Sequence, residues 1–538
     1  MKFGVYPAYI GGRDVTGDDT RLVHTVTART LLDDTFPGLR LKQDLDLGLV
    51  TPDMAADRVV GACVVADEAM AEQALKAAAE AAPQWRRVPL SERLKAARMI
   101  ARRLLEHIDP LVEILVAEGT PRSAAMSMLT GIPFTSWSAQ TLEFCSEQME
   151  FRRHDGDREM ILRRLPDGVV CINPPQNAAA VNALNGLAAL IAGNTVVVRA
   201  PRGVALSCMY AMREIVAPVL EEIGAPPGTL NAFCGPPMLE TWLASEHVND
   251  VLYFGGSAKG MEFERDAVAA GKKPILELAG NDCCVVWHDA DPDLAVQSIT
   301  QFFLNSGQIC NVPNQVIAHP AIADELIDRL VAAIREIKPG YPEDPGVVLT
   351  PVLGIDWFYD SLAEALDRGA RLVHGGRRLE VDGTPSDTGF FIEPTVVRLD
   401  GLADARSLSV VRDETFFPLL PIVVPDADTP DDELLDQVVS FVNTNAYGLR
   451  NSFWSRGSST VQRFLDNVHN AGTLKINDSH SGFVPFLPNQ GGPGLTGGAF
   501  GEASHPMLRT TWLQAVSVVR PTHDAPAETQ AAEKEPGS

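Results

Sequence analysis

The period of the apolar positions changes several times along the chain, and each change marks an element. Residues 67–118 carry the alanine-rich stretches EAMAEQALKAAAEAAPQW and SERLKAARMIARRLLEHI, apolar at helical spacing, with Ser91 as the candidate N-cap of the second. The sixty residues before them read as an arm of strand-like pieces. From Gly168 to Leu276 short apolar runs (VVCIN, TVVVRA, TLNAFC, VLYFGG) alternate with helical stretches such as GLAALIA, 204–222 and AKGMEFERDAVAA. That alternation predicts a parallel sheet covered by helices. A second series, from Asp282 to about Leu474, has CCVVW, QVIAH, RLVHGG, TVV, FPLLPIVV and the SFWS region as strands, with helices near 293–306 and 320–337. Two α/β lobes are therefore expected. MEFRRHDGDREMILRRL (149–165) breaks the pattern: two short runs flank Asp155-Gly156, a dipeptide suited to a tight hairpin turn. Such a hairpin is either a surface excursion or a contact between subunits. The tail 521–538 has too little apolar content to fold.

Length agrees with this division, since 538 residues exceed one compact core. Asp and Glu (70) outnumber Lys and Arg (45), and the formal charge of −25 repels nucleic acid and anionic membrane, so neither is expected as a partner. No apolar run approaches the roughly 20 residues of a membrane helix. The opening MKFGVYPAYIGGRD is broken by Pro7 and does not read as a secretory signal. Eight cysteines, at 63, 145, 171, 208, 234, 283, 284 and 310, form no CxxC and no zinc-like spacing with histidine. No metal is expected, and a reduced, cytoplasmic enzyme is the default.

Three polar residues stand where elements end. Cys310, in FFLNSGQICNVPNQVIAH, follows a helix-like stretch and precedes a strand, which puts it in a turn at the head of a sheet. A cysteine taken alone is more often a small buried hydrophobe, by roughly two to one. Glu277, in KKPILELAGND, lies at a strand end in an apolar setting that would raise its pKa toward neutrality, although a single glutamate is usually a solvated one. Asn177, in VVCINPPQNAAAVNALNG, follows two prolines and is by itself a turn residue. In company these strings resemble the motifs of the aldehyde dehydrogenase superfamily. Gly-Gln-x-Cys is similar to its active-site cysteine motif, and E-L-A-G-N-D, 33 positions ahead, to its glutamate motif. The stretch from Asn177 through AGNTVVVRAP is similar to P-W-N-F followed by A-G-N-T-V-V-x-K-P, with Gln176, Ala178 and Arg199 replacing the Trp, Phe and Lys.

The resemblance spans roughly residues 60–520. It implies a nucleophilic Cys310, a deacylating base in Glu277 and an oxyanion donor in Asn177, for oxidation of an aldehyde to an acid with NAD(P). FGGSAKG resembles the F-T-G-S turn, so Gly256 and Ser257 would offer a helix N-terminus to a pyrophosphate. VVRDETFFPLL resembles E-E-I-F-G-P-V, so Glu414 would hold the nicotinamide ribose and Phe416 flank the ring, with Phe417 in the usual glycine position. Arg199 and Arg202 would stand at the adenine ribose, where arginine matches a 2′-phosphate; NADP is the expected cofactor, with NAD possible. Gly492-Pro-Gly-Leu-Thr-Gly497 satisfies G-x-G-x-x-G, but its prolines exclude the strand–helix setting a dinucleotide fingerprint requires. The fold implied has two parallel-sheet lobes and a small bridging β element that pairs subunits into a homodimer or homotetramer. Its parts are an arm and helices (1–148), the hairpin (149–165), a cofactor-binding sheet (166–276), a catalytic domain (277–480), a return to the cofactor domain with an oligomerisation strand (481–520), and the tail. Three other readings stand beside it. A CoA-acylating enzyme would need no base at Glu277, a cysteine hydrolase would want a histidine partner, and an inactive scaffold should have lost one of the three residues. If the helix after Asn177 lines the substrate tunnel, Ala178, Asn182 and Asn185 make it wide and polar, which suits a bulky or functionalised aldehyde.

Overall fold

Four apolar runs of the first series, with the run ending at Glu277, form parallel strands in the spatial order Leu230–Gly235, Thr195–Pro201, Val169–Asn173, Asp250–Phe254, Lys273–Glu277. Numbered along the chain this is 3-2-1-4-5, the doubly wound order. The computed structural model describes residues 2–17, 20–501 and 505–519, so the tail 521–538 lies outside the described residues. The central strands are buried on both faces, which is why they read as unbroken apolar runs. Val170, Ile172, Val196 and Val198 face a core with Leu184 and Leu206. Val169, Cys171 and Val197 face another with Ala74, Ala78 and Phe263.

The arm adds Val5–Tyr6, Ala8–Ile10, Arg13–Val15 and Arg21–Val26 to this sheet. It also contains helices, Ala28–Asp33 and Thr35–Asp46, which the strand-like reading did not anticipate. Pro37 and Gly38 argue against a helix locally, and only packing against the strand Arg21–Val26 overrides them. Ser91 is not an N-cap: its helix begins at Leu90 after Pro89, with no side-chain cap. The helical stretch expected at 204–222 is Arg202–Glu222, 21 residues long and, contrary to expectation, apolar enough to cross a membrane; its most apolar 18-residue window is 72% buried, so it is a core helix of this lobe.

The second sheet has seven strands in the order Arg371–His374, Thr395–Asp400, Leu419–Val424, Gln315–Ala318, Cys283–Val286, Arg450–Trp454, Thr473–Ile476. All pair in parallel except the first. The chain crosses between the sheets through 278–282. The carboxyl edge of the first sheet thus meets the amino edge of the second. A third, antiparallel sheet joins Glu150–Asp155, Arg158–Pro166 and Thr511–Val519, with Gly156 in the left-handed turn at φ +59°. Phe151, Leu162, Trp512 and Leu513 on this sheet are exposed.

Candidate active site

Glu277 is the last residue of its strand and is buried. Its Oε2 accepts the Gly491 N–H at 2.7 Å. Burial pushes its carboxyl up to about 8, against the opposing pull of that N–H and of Arg450. A void of about 20 Å³ adjoins it, lined in part by Gln490, Gly491 and Phe500, room for one water. Gly491 opens the loop containing the G-x-G-x-x-G string. That loop packs over Glu277, with Thr496 O accepting the Leu278 N–H at 2.9 Å, and the described chain places no strand directly before it. Three residues on from Glu277, a Cβ on Gly280 would lie 2.0 Å from the Cys310 carbonyl oxygen. Only glycine allows that approach, and it brings the segment just after Glu277 against the backbone of Cys310.

The turn before Cys310 is built from three consecutive left-handed residues, Asn305, Ser306 and Gly307, at φ 50°, 54° and 73°. The 348–351 segment braces it. Asn305 N–H donates to Val348 O (2.8 Å), Ser306 Oγ to Thr350 O (2.7 Å), and the Gln308 amide to Thr350 Oγ1 and Pro351 O (3.0 Å each). This bend explains why the predicted 293–306 helix stops at Ile299 and continues only as tight turns. Cys310 is partly exposed, whereas the other seven cysteines are buried. Burial raises its thiol well above the usual range, Glu277, Glu414 and Asp282 add to the rise, and Arg450 opposes it. Asn177 is exposed and its Nδ2 donates to Gln308 O at 3.2 Å, two residues before the cysteine. The amide has a second N–H to offer.

On the first sheet, strand order reverses between Val169–Asn173 and Asp250–Phe254. In doubly wound folds a ligand crevice opens outside the carboxyl ends at that point. Gly256 caps the helix Ser257–Ala269 there, and a Cβ on it would meet nothing within 4 Å. Ser257 turns its hydroxyl away, onto Leu495 O at 2.7 Å, which leaves backbone N–H groups as the donors. Glu414 is half-buried, accepts the Gly280 N–H at 2.9 Å and is pushed up to about 8 by burial. Phe416 adopts φ +51° and Phe417 is fully buried against Trp357 and Phe358.

Farther along the carboxyl edge is a cavity of about 320 Å³, lined by Arg21, Asp67, Glu68, Arg202, Pro236 and Met238 among others. Arg199 does not line it. Arg199 is buried, and its Nε and Nη2 both donate to Asn173 Oδ1 on the neighbouring strand. Arg21 takes its place beside Arg202, carried there by the strand Arg21–Val26. Nothing in the sequence around Arg21 signals this, because the pairing of that strand with Val59–Val65 is tertiary. An open helix N-terminus, a switch-point crevice and a cavity with two arginines fit an elongated, anionic dinucleotide.

The aldehyde dehydrogenase family model matches residues 48–511. The chain belongs to the aldehyde dehydrogenase family. An α-ketoglutarate semialdehyde dehydrogenase of Haloferax volcanii is 30% identical over 449 residues, 82% of this chain and 88% of the relative. Among solved structures, an aldehyde dehydrogenase of Brucella melitensis biovar abortus superposes with TM-score 0.76 at 21% identity, covering 96% of this chain and 97% of the other. Glyceraldehyde-3-phosphate dehydrogenase GapN of Methanocaldococcus jannaschii, complexed with NADP, gives 0.71 at 22% identity, covering 85% and 95%. This aldehyde dehydrogenase accordingly oxidises aldehydes to acids with a nicotinamide cofactor, on the expected two-lobed α/β fold.

Proposed function

We propose that the enzyme is hydrolytic, with Cys310 as nucleophile, Glu277 as base, Asn177 as oxyanion donor and NADP as preferred cofactor. The observation that supports the reading is the close pass of Gly280, three residues after Glu277, over the Cys310 carbonyl. Burial holds the Cys310 thiol protonated, so the attacking thiolate forms as that proton passes to solvent, and Glu277 serves the later water step. The thiolate forms the C–S bond as the carbonyl electron pair moves to oxygen, where the second Asn177 N–H donates. A nicotinamide, when bound, would supply the hydride acceptor through which this adduct becomes a thioester. Glu277 then takes a proton from water, the hydroxide adds to the thioester carbon, and the C–S bond breaks to release the acid and the thiolate.

Burial of Glu277 also sets a sign for pH. With its pKa near 8, the base is mostly protonated at neutrality, so acyl release should speed up as pH rises toward 8. Glu277→Gln should give a burst of reduced cofactor near one equivalent per site, then a steady state slower by about 10²- to 10⁴-fold. Unchanged steady-state turnover would remove Glu277 from the reaction and revive the acyl-transfer reading.

The NADP preference draws on Arg202 and Arg21 at the 320 Å³ cavity, where a guanidinium matches a 2′-phosphate. The exposed apolar residues of the third sheet support its use as a contact between identical subunits.

A further inference from the structure

Beneath the cleft lies a buried cluster that this reaction scheme does not use. Arg450 opens the strand Arg450–Trp454 and is 1% exposed. Its backbone N–H donates to Asp282 Oδ1 at 3.1 Å. Its Nη1 donates to the carbonyls of His480 (2.7 Å) and Gly482 (3.4 Å). Asp282 is equally buried, and its Oδ2 lies 3.6 Å from His480 Nε2. His480 in turn meets Ser452 Oγ at 2.7 Å through Nδ1.

A guanidinium keeps its charge when buried, and that charge has to be offset by something nearby. Asp282, Cys310 and Glu277 are the groups that act most strongly on Arg450, each held toward its neutral form by burial. The backbone ties the cluster to the cysteine twice. Between the two carbonyls that Arg450 holds, Ser481 donates its hydroxyl to Asn311 O at 3.1 Å, next to Cys310. Leu449, next to Arg450, packs on Gly280, which lies against the Cys310 carbonyl.

We propose that Arg450 is a positioning residue whose positive charge underlies the Cys310 thiolate, with Asp282 holding its backbone N–H and the His480–Gly482 carbonyls fixing the guanidinium. The inference rests on Cys310 being the nucleophile. The charged groups acting most strongly on the sulfur are Glu277, Glu414 and Asp282, all acidic, and Arg450. Lys475 is committed to Asp478 (2.9 Å) and Gly482 O (3.1 Å), and burial keeps His480 neutral. Without Arg450 a thiolate would form among carboxylates.

The test reads the thiol directly, as the rate of iodoacetamide alkylation of Cys310 from about pH 6 to 10, followed by mass spectrometry of its peptide. Arg450→Met should move the alkaline rise up by about one pH unit or more, a roughly 10-fold slower reaction below the midpoint. Arg450→Lys, which keeps the charge, should stay within about threefold of wild type. A folded Arg450→Met enzyme with the wild-type profile overturns the proposal. So does Arg450→Lys slowing as much as Arg450→Met, since shape rather than charge would then be at work. If Arg450→Met does not fold, Arg450→Gln replaces it; if neither folds, a folded Arg450→Lys decides alone by the same threefold-against-tenfold criterion. An unshifted thiol leaves the proposed reaction standing, whereas a Cys310→Ala enzyme that still turns over overturns that reaction instead.

Discussion

The two sheet edges that meet in the cleft are built from different materials. On the carboxyl edge of the first sheet the ligand-facing groups are largely backbone: an open helix N-terminus at Gly256, with Ser257 turned away onto Leu495 and exposed arginines set farther out. On the amino edge of the second sheet they are side chains, partly exposed Cys310 with buried Asp282 and Arg450, and Glu277 comes from the facing strand end. Backbone donors survive most substitutions because every residue but proline carries one. A buried charge depends on each neighbour, and removing one partner strands the rest. The chemistry edge should therefore be intolerant of change and the cofactor edge adjustable.

Four variants sharpen that contrast, from the largest effect to the smallest. Cys310→Ala should abolish aldehyde oxidation while leaving the fold and dinucleotide binding intact, checked by turnover beside a cofactor-binding titration. Turnover above a trace would make another cysteine the nucleophile. Asn177→Ala should lower kcat/KM by about 10²- to 10³-fold, the usual loss for one oxyanion donor. If kcat/KM fell less than about threefold, the Gln308 contact would be the whole role of Asn177.

On the other edge, Arg202→Glu should shift preference from NADP toward NAD by about 5- to 150-fold, read as the ratio of kcat/KM for the two cofactors. A wild-type ratio already favouring NAD would defeat the assignment. Ile161→Asp with Leu162→Asp, on the third sheet, should leave the chemistry of each site nearly unchanged while shifting the sedimenting species toward monomer. Wild-type enzyme that is monomeric at about micromolar concentration would rule out the contact.

What was legible in the sequence follows the same division. Buried parallel strands announce themselves as apolar runs, so both sheets could be read from VVCIN, TVVVRA, CCVVW and FPLLPIVV. Glu277 and Cys310 stood out because each sits at an element end inside a recognisable string, and the Asp155-Gly156 turn because its chemistry is local. Contacts made only by tertiary pairing were hidden. Arg21 reaches its cavity through a strand that read as part of an arm, and Arg199 turned inward because Asn173 stands one strand away. Arg450 looked like any arginine in a strand; its burial depends on the 480–482 loop, 30 residues further on. Helix Thr35–Asp46 was masked by Pro37 and Gly38.

The distribution of the cysteines bears on how this enzyme would age. Seven sulfurs are buried and shut away from peroxide, and Cys310 alone is partly exposed. Oxidation proceeds through the thiolate, so a resting thiol kept protonated at Cys310 slows the first step to a sulfenic acid. When that step does occur, it falls on the one sulfur proposed to do the chemistry. Oxidative damage should therefore silence the enzyme while leaving its cores packed, and activity should disappear well before the fold does.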